Sequence, residues 1–339
     1  MAGPIVSDDP EPMRIGPHAL PSPLLLAPMA GITDRPFRVL CRRMGAGLAF
    51  SEMVSTNPRL RGTPKSRHRL DTTGEPGPIA VQIAGTDPEQ MATAARYHRE
   101  QGADIIDINM GCPAKKVCRK AAGAALMRDE VLVGRILDAV VAATDGPVML
   151  KMRTGWDRDH RNAMAIARLA AAAGVSALTI HGRSRADGYD GPVEFDTVRR
   201  VRDTVDLPLI ANGDIIDADS ARQTLASTGA DGLMIGRGAQ GDPWIFQRLG
   251  RALGYLPDGQ EPDRDQRHLE IRNHIHAIHA HYGTDIGVRV ARKHIRWYLA
   301  RLAEGLEAPQ ELLRESEPAA QFQHLDMILA SYPQQEHAA

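Results

Sequence analysis

Lys151 ends an otherwise apolar run, PVMLKM (147–152), where its charge needs an anionic partner. A surface lysine with its stem on a rim is the plain reading. A flavin explains the position better, because a cation near the N1/C2 edge stabilises the anionic reduced ring. Gln82, at the end of PIAVQI (78–83), is placed to bond the polar edge of such a ring. His181, ending ALTIHG (177–182), reaches ring or phosphate, although taken alone it reads better as a hydrogen-bonded structural histidine. Two small loops, Asn212-Gly213-Asp214 and Gly236-Arg237-Gly238, are rich in glycine, which lets backbone N–H groups approach a phosphate; Arg237 adds a fixed cation. Cys112 follows DIIDIN (104–109) and Asn109 in a turn made by Gly111 and Pro113, which should expose its thiol. Cys41 suits the buried, inert default. Cys118 lies among Lys115, Lys116, Arg119 and Lys120, cations that would depress a thiol pKa and would equally suit an RNA backbone.

These residues need a frame that brings them together. Eight short apolar runs recur: LLLAP (24–28), GLAFSEM (47–53), PIAVQI, DIIDIN, PVMLKM, ALTIHG, PLIANG (208–213) and DGLMIG (231–236). Between most of them lie Ala- and Arg-rich stretches with helical spacing, several ending in a glycine suited to a left-handed C-cap. Apolar strands alternating with helices imply a parallel sheet covered by helices. Eight units fit a closed (β/α)8 TIM barrel better than a doubly wound sheet, since Pro28-Met29-Ala30-Gly31 follows the first strand in place of G-x-G-x-x-G. In such a barrel, function gathers at the C-terminal strand ends, where the residues above fall.

The proline-rich residues 1–20 read as a flexible lead, 21–256 as the barrel, 257–333 as a small all-helical C-terminal domain after the polar stretch PDGQEPDRDQ, and 334–339 as a tail. Hydrophobic residues at 43% and charged residues at 24% exclude a disordered chain. An aromatic content of 4% argues against a nucleic-acid binder built on stacking rings. With 41 basic and 42 acidic residues, a uniformly basic coat is excluded, and a polyanion must meet a local patch. No run approaches the roughly 18 apolar residues of a membrane helix. No C-x-x-C pair offers a metal site, and the chain reads as cytoplasmic, reduced and monomeric. Arg289, Arg292, Lys293 and Arg296 recur at helical spacing, which puts them on one face.

At these residues the chain resembles the bacterial tRNA-dihydrouridine synthase family, most closely the branch related to nitrogen-regulation protein three. The matching segments are LAPMAGITDRPFR (26–38), VQIAG (81–85), DINMGCPAKKV (107–117), LKMRTGWD (150–157), HGRSRADGYDG (181–191), ANGDI (211–215), GLMIGRGAQGDPWIF (232–246) and ARKHIRWYL (291–299). The resemblance implies bound FMN, NADPH as electron donor, and reduction of the C5–C6 double bond of a D-loop uridine in tRNA. It implies that Pro28, Met29 and Ala30 line the flavin, that Gln82, Asn109 and Lys151 hold its polar edge, and that His181, Asn212, Gly213, Asp214, Gly236 and Arg237 complete the ring and phosphate contacts. Cys112 becomes the proton donor to C5, and a protonated thiol suits that task at neutral pH. The flipped base costs roughly a few kcal/mol to unstack, and cations on the flanking phosphates offset it. Arg59, Arg61, Lys65, Arg67, Lys115, Lys116, Arg119, Arg183, Arg185 and the Arg289–Arg296 face are therefore expected to meet RNA. The alternatives are a dihydroorotate dehydrogenase-like reductase of a small molecule and a non-catalytic RNA-binding protein. Removing 257–339 is expected to abolish tRNA reduction and leave flavin bound.

Overall fold

The structure, a computed structural model, describes residues 12–302 and 307–331. The first eleven residues of the expected lead and the expected tail at 334–339 lie outside the described residues. Nine parallel strands form one sheet: β1 (Leu24–Leu26), β2 (Leu48–Ala49), β3 (Val54–Ser55), β4 (Ala80–Ala84), β5 (Ile105–Met110), β6 (Val148–Arg153), β7 (Ala177–His181), β8 (Leu209–Asn212) and β9 (Gly232–Ile235). Their order is β2-β1-β9-β8-β7-β6-β5-β4-β3. The expected strand GLAFSEM (47–53) holds only β2, at one end of this order; β3, at the other end, begins just after it at Val54. Phe50 bridges Ala80 in parallel, and the Ser51 N–H donates to the Ala80 carbonyl at 3.0 Å, so the sheet closes on itself as a TIM barrel.

The period of two along each strand sets what the barrel holds. Ile105, Met149, Ala177 and Ile210 point inward and pack with Leu25, Phe50 and Met234. Two and four residues further along the same strands, the inward positions become Asp107 and Asn109, Lys151 and Arg153, Thr179 and His181, and Asn212, all on the strands β5 to β8. One register therefore yields a dry floor and a polar mouth. A hairpin of Arg14–Ile15 and His18–Ala19 stoppers the floor, with Ile15 and Leu20 buried against the barrel interior. This corrects the flexible lead for residues 12–20: a strand of two residues leaves no periodic signal, yet two buried aliphatic chains hold it at about 1.5–3 kcal/mol each.

Among the described residues, eight α-helices of seven or more residues surround the strands: α1 (Arg35–Arg43), α2 (Pro64–Leu70), α3 (Pro88–Glu100), α4 (Glu130–Ala142), α5 (Ala163–Ala173), α6 (Asp196–Arg202), α7 (Ala218–Thr228) and α8 (Ile245–Ala252). Asp87 and Asp217 cap α3 and α7 through their carboxylates, and Gly174 and Gly229 end α5 and α7 at φ +87° and +64°. Among the described residues beyond 263 the regular structure is helical: α9 (Arg264–Tyr282), α10 (Thr284–Leu302), α11 (Gln310–Arg314) and α12 (Pro318–Ser331). Ile271, Ile275 and Ile278 recur at i, i+4, i+7 and pack with Ile295, Leu299 and Leu325. Leu40 of α1, Met44 at its C-terminal cap and Trp244 complete that same core, so barrel and helices share an apolar seam.

Two histidines lie in the seam. His274 and His294 are buried, meet edge to face with ring centroids 4.9 Å apart, and each lies 5.5 Å from Phe37 of α1. Burial, with the nearby Lys293 ammonium, pulls His274 down to about 3 and His294 well below the usual range. A folded-state pKa below the unfolded one near 6.5 contributes stability that is complete above pH 6.5 and is lost as pH falls toward 3. Each histidine is expected to cost about 2 kcal/mol by pH 5. Thermal melts at pH 7 and pH 5 check this, and His294→Gln should flatten the acid limb.

Candidate active site at the barrel mouth

A cavity of about 750 Å3 opens at the C-terminal ends of the strands. Every residue expected to hold the cofactor lines it, as does Cys112: Pro28, Met29 and Ala30 after β1, Gln82 on β4, and Asn109 on β5. Lys151 on β6, His181 on β7, Asn212, Gly213 and Asp214 from β8 onward, and Gly236 and Arg237 after β9 complete the circle. Residues up to 209 positions apart meet because parallel strands place equivalent ends side by side: Asn109 pairs with Lys151, and Arg153 with His181, which pairs with Asn212.

Hydrogen bonds orient the polar members. Lys151 is 8% exposed and its Nζ donates to Asn212 Oδ1 at 3.0 Å, which leaves N–H groups free for a ligand. Burial lowers its pKa, and Asp107 opposes the fall. His181 is held neutral by burial and by Lys151, Arg153, Arg183 and Arg237 around it. Because a guanidinium only donates, the 3.3 Å contact from Arg183 makes Nε2 the acceptor and puts the ring proton on Nδ1. Asp214, at φ +47°, is gripped by both Arg183 and Arg237. Its carboxylate is thus spent on arginines, and what the loop offers a phosphate is backbone N–H and the arginine charge. Burial pushes the Cys112 thiol up, and Lys151 and Arg153 only partly offset it, so the sulfur keeps its proton at neutral pH.

Several of the residues expected to meet RNA are already engaged within the chain. Arg183 is 2% exposed, with its guanidinium on Asp214 and the Gly191 carbonyl; it is a wall of the cavity. Arg185 lies half-buried over the Trp156 ring at 4.6 Å, and Arg61 over the Tyr97 ring at 4.6 Å. The Arg289–Arg296 face divides: Arg289 and Arg296 are exposed, Arg292 donates to the Glu315 carbonyl, and Lys293 turns inward to the Gly31 carbonyl. Arg59, Lys65, Arg67, Lys115, Lys116 and Arg119 are exposed. Cys41 is buried in α1, as expected.

Lys293 matters because Gly31 belongs to the turn that carries Met29 and Ala30. The Gly31 N–H donates to Glu52 at 2.6 Å, and Glu52 is braced by Arg69 at 3.0 Å. The helical region therefore helps to hold one wall of the cavity. Lys293→Met should weaken flavin retention about tenfold, the scale of one charge-assisted hydrogen bond, read by flavin titration; unchanged affinity would show that the turn holds itself. Removing 257–339 would also expose the seam at Leu40, Met44 and Trp244. A flavin-retaining truncated barrel is therefore no longer expected.

Arg153, Asp107 and Tyr189 were not singled out as site residues. Arg153 lines the cavity and donates to the Gly111 carbonyl at 2.7 Å. Arg153 shares the inward phase of Lys151, and Asp107 that of Asn109, a period-two signal available in LKMR and DIN. Tyr189, half exposed at the rim, has no such signal.

The residues fit a flavin nucleotide. Pro28, Met29 and Met234 offer an apolar wall, the Lys151 ammonium a cation for the ring's polar edge, and the Gly213 and Gly236 backbone with Arg183 and Arg237 an anion site. A parallel barrel with this donor set at its mouth has the layout of a flavin-nucleotide-binding barrel. Solved structures share the fold. An old yellow enzyme homologue from Zymomonas mobilis matches with a TM-score of 0.51 at 16% identity, over 74% of this chain and 94% of that one. Histamine dehydrogenase from Rhizobium sp. 4-9 matches with a TM-score of 0.55 at 13% identity, over 78% and 50%. Residues 25–332 match the family model described as dihydrouridine synthase. A tRNA-dihydrouridine synthase B of Xanthomonas campestris pv. campestris is 50% identical over 96% of this chain and all of its own length. One from Pseudomonas aeruginosa is 53% identical over 91% of this chain and 93% of its own. The chain belongs to the dihydrouridine synthase family. No helix among the described residues is long and apolar enough to cross a membrane.

Proposed function

We propose that this chain, acting as a monomer, reduces the C5–C6 double bond of a D-loop uridine in tRNA, with FMN at the barrel mouth, NADPH as electron source and Cys112 as proton donor. The observation that carries this reading is one cavity in which a protonated thiol, Cys112, faces the same space as the buried cation Lys151. When bound, the flavin supplies hydride to C6 of the uracil ring. The charge that builds at C5 needs an acid, and Cys112 keeps its proton because its surroundings are desolvated. Lys151 and Asn109 present donors to the ring edge, and neutral His181 presents Nδ1–H. Arg153 holds the Gly111 carbonyl and so the thiol-bearing turn.

RNA grip is assigned to the exposed cations Arg59, Lys65, Arg67, Lys115, Lys116, Arg119, Arg289 and Arg296, which can neutralise phosphates around the mouth. The aromatic-poor composition fits, since a bound flavin would supply the surface for the base to stack on. Mass-spectrometric mapping of dihydrouridine in tRNA from cells with and without this gene tests the reading. Loss of dihydrouridine at one D-loop position is expected; unchanged D-loops overturn it.

A further inference from the structure

Asp107 is wholly buried inside the barrel on β5, two residues before Asn109. The Lys151 ammonium bonds Asn212, and no ion pair joins it to Asp107 among the described residues. Instead Asp107 Oδ2 accepts from Gln82 Nε2 at 2.6 Å. Gln82 Oε1 accepts from Asn109 Nδ2 at 2.8 Å. Asn109 Oδ1 accepts from the Gly111 and Cys112 N–H groups at 3.3 and 3.1 Å. The chain has one polarity. An ionised carboxylate only accepts, so Gln82 must turn its amino group inward and its oxygen toward Asn109. Asn109 must then offer its amino group to Gln82 and its oxygen to the turn. Backbone N–H groups only donate, so the far end demands the same order.

We propose that Asp107 is a positioning residue for Cys112, acting through Gln82 and Asn109 to set the turn that carries the thiol. The parallel register Gln82↔Asp107 makes the first link, and the two-residue step along β5 makes the second. Arg153 grips the other side of the same turn at the Gly111 carbonyl, so both polar groups of the Gly111 peptide are held. Without Asp107, Gln82 Nε2 is left buried and unpaired, and its escape toward the cavity removes the partner of Asn109. Burial raises the Asp107 pKa, but a neutral carboxyl keeps an acceptor oxygen for Gln82.

The importance of the turn rests on the reading of Cys112 as proton donor; the positioning itself does not. Two readouts on the flavin-bound enzyme keep them apart: the rate of Cys112 alkylation by iodoacetamide, read at that residue by peptide mass spectrometry, and kcat and KM on tRNA. Asp107→Asn keeps an acceptor oxygen and removes the charge, so both readouts should stay within about threefold of wild type. Asp107→Leu removes the acceptor, so alkylation should quicken and kcat fall, each by about tenfold or more, with KM unchanged. Asp107→Ala gives the same readouts if leucine is too large for the barrel interior. Wild-type alkylation in both the leucine and alanine variants overturns the proposal, as does an asparagine variant as impaired as leucine. Altered alkylation with unchanged kcat supports the positioning and overturns the proton-donor reading of Cys112.

Discussion

Cys112→Ala should lower dihydrouridine formation by about 10²–10⁴, the usual worth of a placed general acid, while flavin content and tRNA affinity stay at wild-type values. The split follows from where Cys112 sits. It is on a turn after β5, and its removal leaves Lys151, His181 and the glycine loops untouched. Its basic neighbours are placed for other tasks. The Lys151 ammonium is held by Asn212, and the arginines of the wall do not release protons. Burial keeps the thiol protonated, so activity should persist above the pH at which a free cysteine ionises. The measurement is single-turnover reduction of tRNA, with flavin absorbance and tRNA binding as controls. Full turnover in the alanine variant would remove Cys112 from the mechanism.

Lys151→Met should cost about 10²–10³ in turnover, the scale found when one preorganised donor facing developing charge is removed. Methionine keeps the length and apolar stem and deletes only the cation, which suits a position flanked by Leu150 and Met152. The loss should come with weaker flavin retention and a lower midpoint potential, because the reduced, anionic ring gains most from a neighbouring positive charge. Burial moves the Lys151 pKa below the ordinary lysine range. Wild-type activity should therefore decline on the alkaline side earlier than a free lysine would predict, and that limb should vanish in the methionine variant. A variant with unaltered potential and turnover would place Lys151 outside the cofactor's reach.

Much of the site was legible because a parallel barrel converts sequence position into spatial position. Knowing that most of the eight apolar runs carry a polar residue at or near their ends was enough to gather Gln82, Asn109, Lys151, His181 and Asn212 at one mouth, since every strand ends at the same face. The thiol of Cys112 was legible for the same reason, lying in a turn bounded by Gly111 and Pro113. Arg183 shows where this logic stops. An arginine after a strand end reads as a free cation until its partner is known, and Asp214 is 31 residues away on the next loop. The Arg289–Arg296 face divides for the same reason: helical spacing puts four cations in line, but a neighbouring carbonyl at Gly31 engages Lys293 and one at Glu315 engages Arg292.

The sequence by itself determined the alternation of strand and helix, the end of the barrel at which chemistry gathers, and the identity of the groups there. These depend on periodicity and on residue type, both local. Only the tertiary structure decided which charges were already spent, that residues 12–20 stopper the barrel, that the sheet closes through Phe50, and that the helices beyond 263 share a core with α1. Each of those is a contact between segments far apart in the chain, and the energy of pairing a buried charge or closing an apolar seam belongs to both partners at once.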